Sequence, residues 1–222
     1  MWRRALLSLL PAAAGLLAAV GSAPAAPAPP RPEPAPVAAA WLPRVEAWLD
    51  GARRLRARFT QIAPDGSVST GTLWLARPGR MRIEYDPPSR VLIVATDWRL
   101  VIYDGATRQV NTLPLAETPL AFLLEERVRL AGRVRVAAVR ERGGEVAVTL
   151  EDAETPGRGA ITLWFRREPF RLVRWEVVDA QGLTTVVLLD AVERDPPMSD
   201  SLFVWRDPRI FGYPGEEDRL PE

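Results

Sequence analysis

Over most of the chain apolar side chains recur at every second position, in short blocks separated by glycine, proline and aspartate. The clearest block is Gly71-Thr72-Leu73-Trp74-Leu75-Ala76-Arg77-Pro78-Gly79-Arg80-Met81-Arg82-Ile83-Glu84-Tyr85-Asp86-Pro87-Pro88, which predicts a pair of β-strands joined by a tight turn at Arg77-Pro78-Gly79. Proline presets φ for such a turn, and glycine accepts the backbone geometry that closes it. Beyond the turn Met81, Ile83 and Tyr85 point one way and Arg80, Arg82 and Glu84 the other, the alternation of a half-buried strand. Pro87-Pro88 ends the strand, because proline has no N–H to give to a sheet ladder.

The same pattern bounds the hairpin strands at Ser67–Ala76 and Arg80–Asp86 and predicts further strands at Ala57–Ala63, Val91–Thr96, Leu100–Asp104 and Gln109–Leu113. After an interruption it predicts Val134–Arg140, Glu145–Glu151, Ala160–Arg166, Arg171–Val178 and Leu183–Val192, with Gly143-Gly144 as a hairpin signal. About ten or eleven short strands with only local connections imply an antiparallel sheet. Helical spacing marks two other stretches. Trp41, Val45, Trp48, Ala52 and Leu55 recur every three or four residues, with Arg44, Glu46, Asp50 and Arg53 on the other side. Thr118-Pro119 is a helix-start pair, and Leu120, Phe122, Leu123, Leu124 and Val128 follow, so a short apolar helix is expected from 119 to about 130, ended near Gly132.

A sheet with one wet face alternates polar and apolar along each strand. Val91-Leu92-Ile93-Val94, Leu100-Val101-Ile102 and Thr185-Val186-Val187-Leu188-Leu189 are apolar on both sides and need a cover on the second face. A strongly curved sheet holding both helices in its concave side satisfies this. A closed barrel or sandwich with two external helices satisfies the patterning equally well.

The ends of the chain read differently. Met1-Trp2-Arg3-Arg4, the apolar run Ala5–Val20 and Ala23-Pro24-Ala25 form the charged, apolar and small-residue parts of a secretory signal, expected over residues 1–25; an N-terminal membrane anchor is the other reading. Residues 26–38 are a Pro/Ala-rich linker, 39–206 the folded domain, and 207–222 a polar tail.

Composition narrows the chemistry. With 222 residues, 47% hydrophobic, the chain suffices for one domain with a real core. Its 29 basic and 28 acidic residues nearly cancel, which excludes the basic field of a nucleic-acid binder. Every basic residue is arginine; histidine, cysteine and lysine are absent. That removes Ser-His and Cys-His nucleophiles, imidazole and thiolate metal sites, Schiff bases and P-loops. It also removes the cysteine on which a bacterial lipoprotein is acylated. A carboxylate-pair hydrolase would have to draw on Glu84, Asp86, Asp97 or Asp104, which sit near strand ends and turns where acids ordinarily solvate and cap. No catalytic residue, metal or cofactor is expected.

Taken in order, several of these pieces resemble the LolA family of periplasmic outer-membrane lipoprotein carriers. Phe59-Thr60-Gln61 resembles the family's F-x-Q element, Gly71 to Gly79 its G-x-L-W-x-x-R-P signature, and Tyr85 with Pro87 and Pro88 the Y-x-x-P that follows. Tyr103-Asp104 and Thr118-Pro119-Leu120 with Leu123-Leu124 match later elements, so the resemblance covers roughly residues 40 to 206. It implies an incomplete antiparallel β-barrel whose N-terminal and central lid helices close a hydrophobic cavity over the concave face. It implies a carrier, not an enzyme, that takes acylated lipoproteins from an inner-membrane ABC transporter and delivers them towards an outer-membrane acceptor, as a monomer in the periplasm. A lipid carrier or envelope sensor of the same fold with a different lipid cargo is the alternative. Arg77 falls on the family arginine that hydrogen-bonds the lid and holds it shut; the other reading is a solvated turn arginine. Leu73, Leu75, Met81, Ile83, Tyr85, Leu92, Val94 and Trp175 are the expected cavity lining, and Pro119, Leu120, Leu123 and Leu124 the expected lid.

Overall fold

The structure, a computed structural model, describes residues 36–118, 121–157 and 159–214. The expected signal sequence, most of the linker, Pro119 and Leu120 of the lid, and the end of the tail lie outside the described residues.

The sequence pattern becomes one antiparallel sheet. Its strands are β1 (Arg54–Ile62), β2 (Val68–Ala76), β3 (Arg80–Tyr85), β4 (Val91–Thr96), β5 (Arg99–Asp104), β6 (Gln109–Pro114), β7 (Val134–Arg142), β8 (Glu145–Asp152), β9 (Ala160–Arg166), β10 (Arg171–Val178) and β11 (Thr184–Arg194). They lie in the order β6-β5-β4-β3-β2-β1-β11-β10-β9-β8-β7, so β6 and β7 are edges and the barrel is not closed. The closed-barrel alternative is thereby set aside. At about 4.8 Å per strand a flat sheet of this size would be roughly 50 Å wide. A single apolar cluster nevertheless joins Ile102 on β5, Leu73 on β2, Leu189 on β11 and Val148 on β8 to one helix, which requires the sheet to curl. Register irregularities in the β1–β11, β9–β10 and β7–β8 pairs supply part of that bend.

The covering elements depart from the expected ones. Helix α1 spans Pro36–Gly51, beginning inside the stretch read as linker and ending before Ala52; Leu55 belongs to β1. Proline is tolerated in a first helical turn, and the alanines after it are strong helix formers. The helix also runs through Pro43, which has no N–H for the Ala39 carbonyl. In the central region the expected helix is not formed: short 3₁₀ turns occupy Leu115–Glu117 and Ala121–Leu124, and residues 125–133 have no regular structure. Backbone amides there find acceptors on α1 instead of in a helix of their own: Val128 N–H donates to the Asp50 carboxylate at 3.2 Å and Leu130 N–H to the Glu46 carboxylate at 2.6 Å.

The tail is less polar in its role than in its composition. A helical turn at Pro208–Phe211 leads to Tyr213, which is buried against the convex face with Leu92, Val94 and Tyr103. Its hydroxyl sits 2.9 Å from the Tyr85 carbonyl and 2.8 Å from the Val91 carbonyl, one hydrogen shared between acceptors.

Candidate functional site

The β2–β3 hairpin sets one wall of the concave side. In register, Leu73 faces Ile83 and Leu75 faces Met81, so the inward residues of both strands form a continuous apolar strip. Trp175 on β10 and Leu172 before it face the same interior from the other half of the sheet, with Leu55 on β1 between them. Trp48 and Leu49 from the end of α1, Ala52 just beyond it, and Leu123 and Leu124 from the central 3₁₀ turn form the roof. Between roof and wall remains an apolar hollow of about 40 Å³. That is far below the roughly 150 Å³ at which an engineered apolar cavity takes up benzene. The interior is therefore filled, and what fills it is the roof itself: Phe122, Leu123, Leu124 and Trp48 are all buried.

Arg77 stands where these parts meet. It is only 8% exposed. Its Nε donates to the Leu123 carbonyl at 2.6 Å, and its Nη1 donates to the Ala52 carbonyl at 3.0 Å and to the Leu49 carbonyl. One guanidinium thus ties the central turn and the end of α1 to the β2–β3 turn. The last carbonyls of a helix lack partners within it, which is why a cation placed there is favourable. Gly79 N–H adds a bond to the Leu124 carbonyl at 2.8 Å, and Arg77 N–H one to the Arg53 carbonyl at 2.9 Å. Burial pushes the Arg77 guanidinium down to about 10, with the Asp50 carboxylate opposing the shift, so it stays charged at neutral pH. Arg77 is accordingly not a solvated turn arginine.

The structure sorts the other expected residues. Leu73, Leu75, Met81, Ile83 and Trp175 face the hollow. Tyr85 is on the same face but farther along, ring against Phe59 with centroids 5.1 Å apart, its hydroxyl donating to the Gln61 side chain at 2.8 Å. Leu92 and Val94 are corrected: they lie on the convex face in the separate cluster with Tyr103 and Tyr213, while Val91, Ile93 and Ala95 face the interior. β4 is apolar on both sides, and a period of two cannot then say which set faces in. Trp48, Leu49, Ala52, Leu55 and Leu172 complete the hollow and were not among the expected lining; the apolar stripe Trp48-Ala52-Leu55 was the signal that could have named three of them.

A larger groove of about 590 Å³ lies on the convex side, between β1–β3 and residues 196–214. Arg56, Arg82, Arg206 and Glu193 line it together with Trp74, Met198, Leu202 and Val204, so its wall is mixed, unlike the continuous apolar strip of the concave side. Among the described residues no group of three or more metal-ligating side chains converges, and no helix is long and apolar enough to cross a membrane.

A family model described as outer membrane lipoprotein carrier protein LolA matches residues 50–206. An uncharacterised protein of Rickettsia prowazekii is 26% identical over 156 residues, covering 70% of this chain and 72% of its own length. An outer-membrane lipoprotein carrier protein of Alkalilimnicola ehrlichii is 30% identical over 177 residues, covering 72% of this chain and 77% of its own. Among solved structures, a LolA superfamily protein from Nitrosomonas europaea aligns over 74% of this chain and 97% of that one at 12% identity, with a TM-score of 0.41.

Proposed function

This chain belongs to the LolA family of outer membrane lipoprotein carrier proteins, and from that premise we propose that it shields the acyl chains of lipoproteins and ferries them across the periplasm from the inner to the outer membrane. The family is periplasmic and acts by non-covalent binding; for this chain we propose export by cleavage of residues 1–25, loading from an inner-membrane ABC transporter, and release to an outer-membrane acceptor. The observation that carries the reading is the roof: an apolar concave sheet covered by two segments that the buried Arg77 pins through backbone carbonyls.

Magnitudes favour exchange over simple filling. A hollow of about 40 Å³ accepts no acyl chain, so cargo must displace the roof. Exposing an acyl tail costs about 0.8 kcal/mol per methylene, on the order of 10 kcal/mol for about sixteen carbons. Each fully buried Leu or Phe is worth roughly 1.5–3 kcal/mol, so lifting Leu49, Phe122, Leu123 and Leu124 together gives up roughly 6–12 kcal/mol. The terms nearly balance. Such a roof hides the apolar wall when the carrier is empty and yields it to cargo, with the transporter supplying the drive.

The test is to express the exported protein in a Gram-negative host and identify co-purifying acylated molecules by mass spectrometry, then to add a triacylated lipopeptide to the purified protein. The reading expects lipoproteins or the lipopeptide in a soluble, stoichiometric complex. Recovery of only another lipid class would replace the cargo, and no bound acyl chain in either format would end the proposal.

A further inference from the structure

The two roof segments come from distant parts of the chain, and the sheet alone does not join them. We infer that Glu46 and Asp50 are positioning residues that lock α1 to residues 127–131, so that the roof opens as one body rather than as two flaps. The inference rests on the carrier reading above.

Geometry carries it. Glu46 and Asp50 are four residues apart on α1, which puts them on one helix face about 6 Å apart along the axis. Val128 and Leu130 are two apart in a stretch without regular structure, and in an extended backbone alternate N–H groups point the same way at about 6.6 Å spacing. The spacings match. Leu130 N–H donates to the Glu46 carboxylate at 2.6 Å and Val128 N–H to the Asp50 carboxylate at 3.2 Å. Val128 is 0% and Leu130 6% exposed, so the side chains of this strip are packed into the core while its amides are read by the helix. Arg129 secures the strip from outside, with Nη1 3.0 Å from the Val128 carbonyl and 3.9 Å from the Asp50 carboxylate.

The consequence follows from which bonds cross which gap. Arg77 and Gly79 tie the roof to the β2–β3 turn, and the Trp41 indole N–H, donating to the Glu141 carboxylate, ties α1 to β7. Glu46 and Asp50 tie one roof segment to the other. Breaking the bonds to the sheet, Trp41–Glu141 included, therefore leaves the Glu46 and Asp50 bonds intact, and α1 leaves together with the central segment. Hydrogen bonds to charged acceptors are the stronger kind, and both of these lie in partly buried positions.

The absence of native cysteine allows clean spin-label pairs. Ala47→Cys with Arg127→Cys reports the distance within the roof, and Ser67→Cys with Arg127→Cys the distance from roof to sheet; all these positions are exposed. With a tripalmitoylated lipopeptide the inference expects the roof-to-sheet distance to lengthen while the distance within the roof stays narrow. In Glu46→Ala/Asp50→Ala the within-roof distribution broadens even without lipid, and Glu46→Gln/Asp50→Asn, whose amide oxygens still accept, restores most of it. A within-roof distribution unchanged by the alanine pair, or one that lengthens with the roof-to-sheet distance in the parent, overturns the inference. Failure of the lipopeptide to bind would count against the carrier reading alone, because the lipid-free comparison still tests the lock.

Discussion

Arg77 shows how much one side chain contributes when its partners are backbone carbonyls. Leu cannot donate, so Arg77→Leu leaves the Leu49, Ala52 and Leu123 carbonyls without their shared donor. A loss of about 2–4 kcal/mol is expected, with faster uptake of an acyl-chain fluorophore and slower release; a variant matching the parent in stability, uptake and release would remove the latch. Gly71 is a second sensitive point. A Cβ there would lie 2.2 Å from the Glu84 carbonyl and 2.5 Å from the Phe59 ring. Gly71→Ala is therefore expected to cost about 1–3 kcal/mol by overpacking, read as a lower urea midpoint. Tyr85 gives a pH test. Burial raises its hydroxyl to about 12, above the ordinary 10. The folded state then holds a proton that the unfolded chain releases first, so stability is full below about pH 10 and falls by up to about 1.4 kcal/mol per pH unit towards 12. Urea midpoints of Tyr85→Phe should fall less than the parent's between pH 9 and 11; equal slopes would contradict the assignment. At this scale the sequence was only partly legible. Met81 and Ile83 followed from alternation, but Arg77 was singled out by resemblance alone, because its acceptors lie 25 to 46 residues away and nothing local marks them.

At the scale of elements, local pattern served strands well and covers poorly. Val91–Thr96, Ala160–Arg166 and Arg171–Val178 were legible to the residue, since alternation and turn residues act within each strand. The central helix was not, because Thr118-Pro119 and the leucines after it fit a helix while the decisive acceptors, Glu46 and Asp50, belong to another element. The same tertiary origin predicts which element gives way first. Leu124 is fully buried in the 3₁₀ turn, and Leu124→Ala is expected to cost the closed form about 2–5 kcal/mol. Hydrogen exchange should speed up in Ala121–Leu124 and α1 while the β1–β11 pairing keeps its protection. Uniform acceleration across the sheet would mean that roof and sheet unfold together.

Over the whole molecule, an open sheet can keep its hydrogen bonds while its cover leaves, because the strand ladder from β6 to β7 does not pass through α1 or the central segment. The convex face is secured separately by the Tyr213 hydroxyl and the Leu92, Val94 and Tyr103 cluster. Cargo thus meets a fixed wall and a displaceable roof. Hydrogen–deuterium exchange with and without a tripalmitoylated lipopeptide tests this most directly. The account predicts that the Gly79 amide, bonded to the Leu124 carbonyl across the gap between roof and sheet, loses protection on loading, with the β2–β3 and β1–β11 ladders unchanged. Lipopeptide bound with the Gly79 amide as protected as in the empty protein would contradict it.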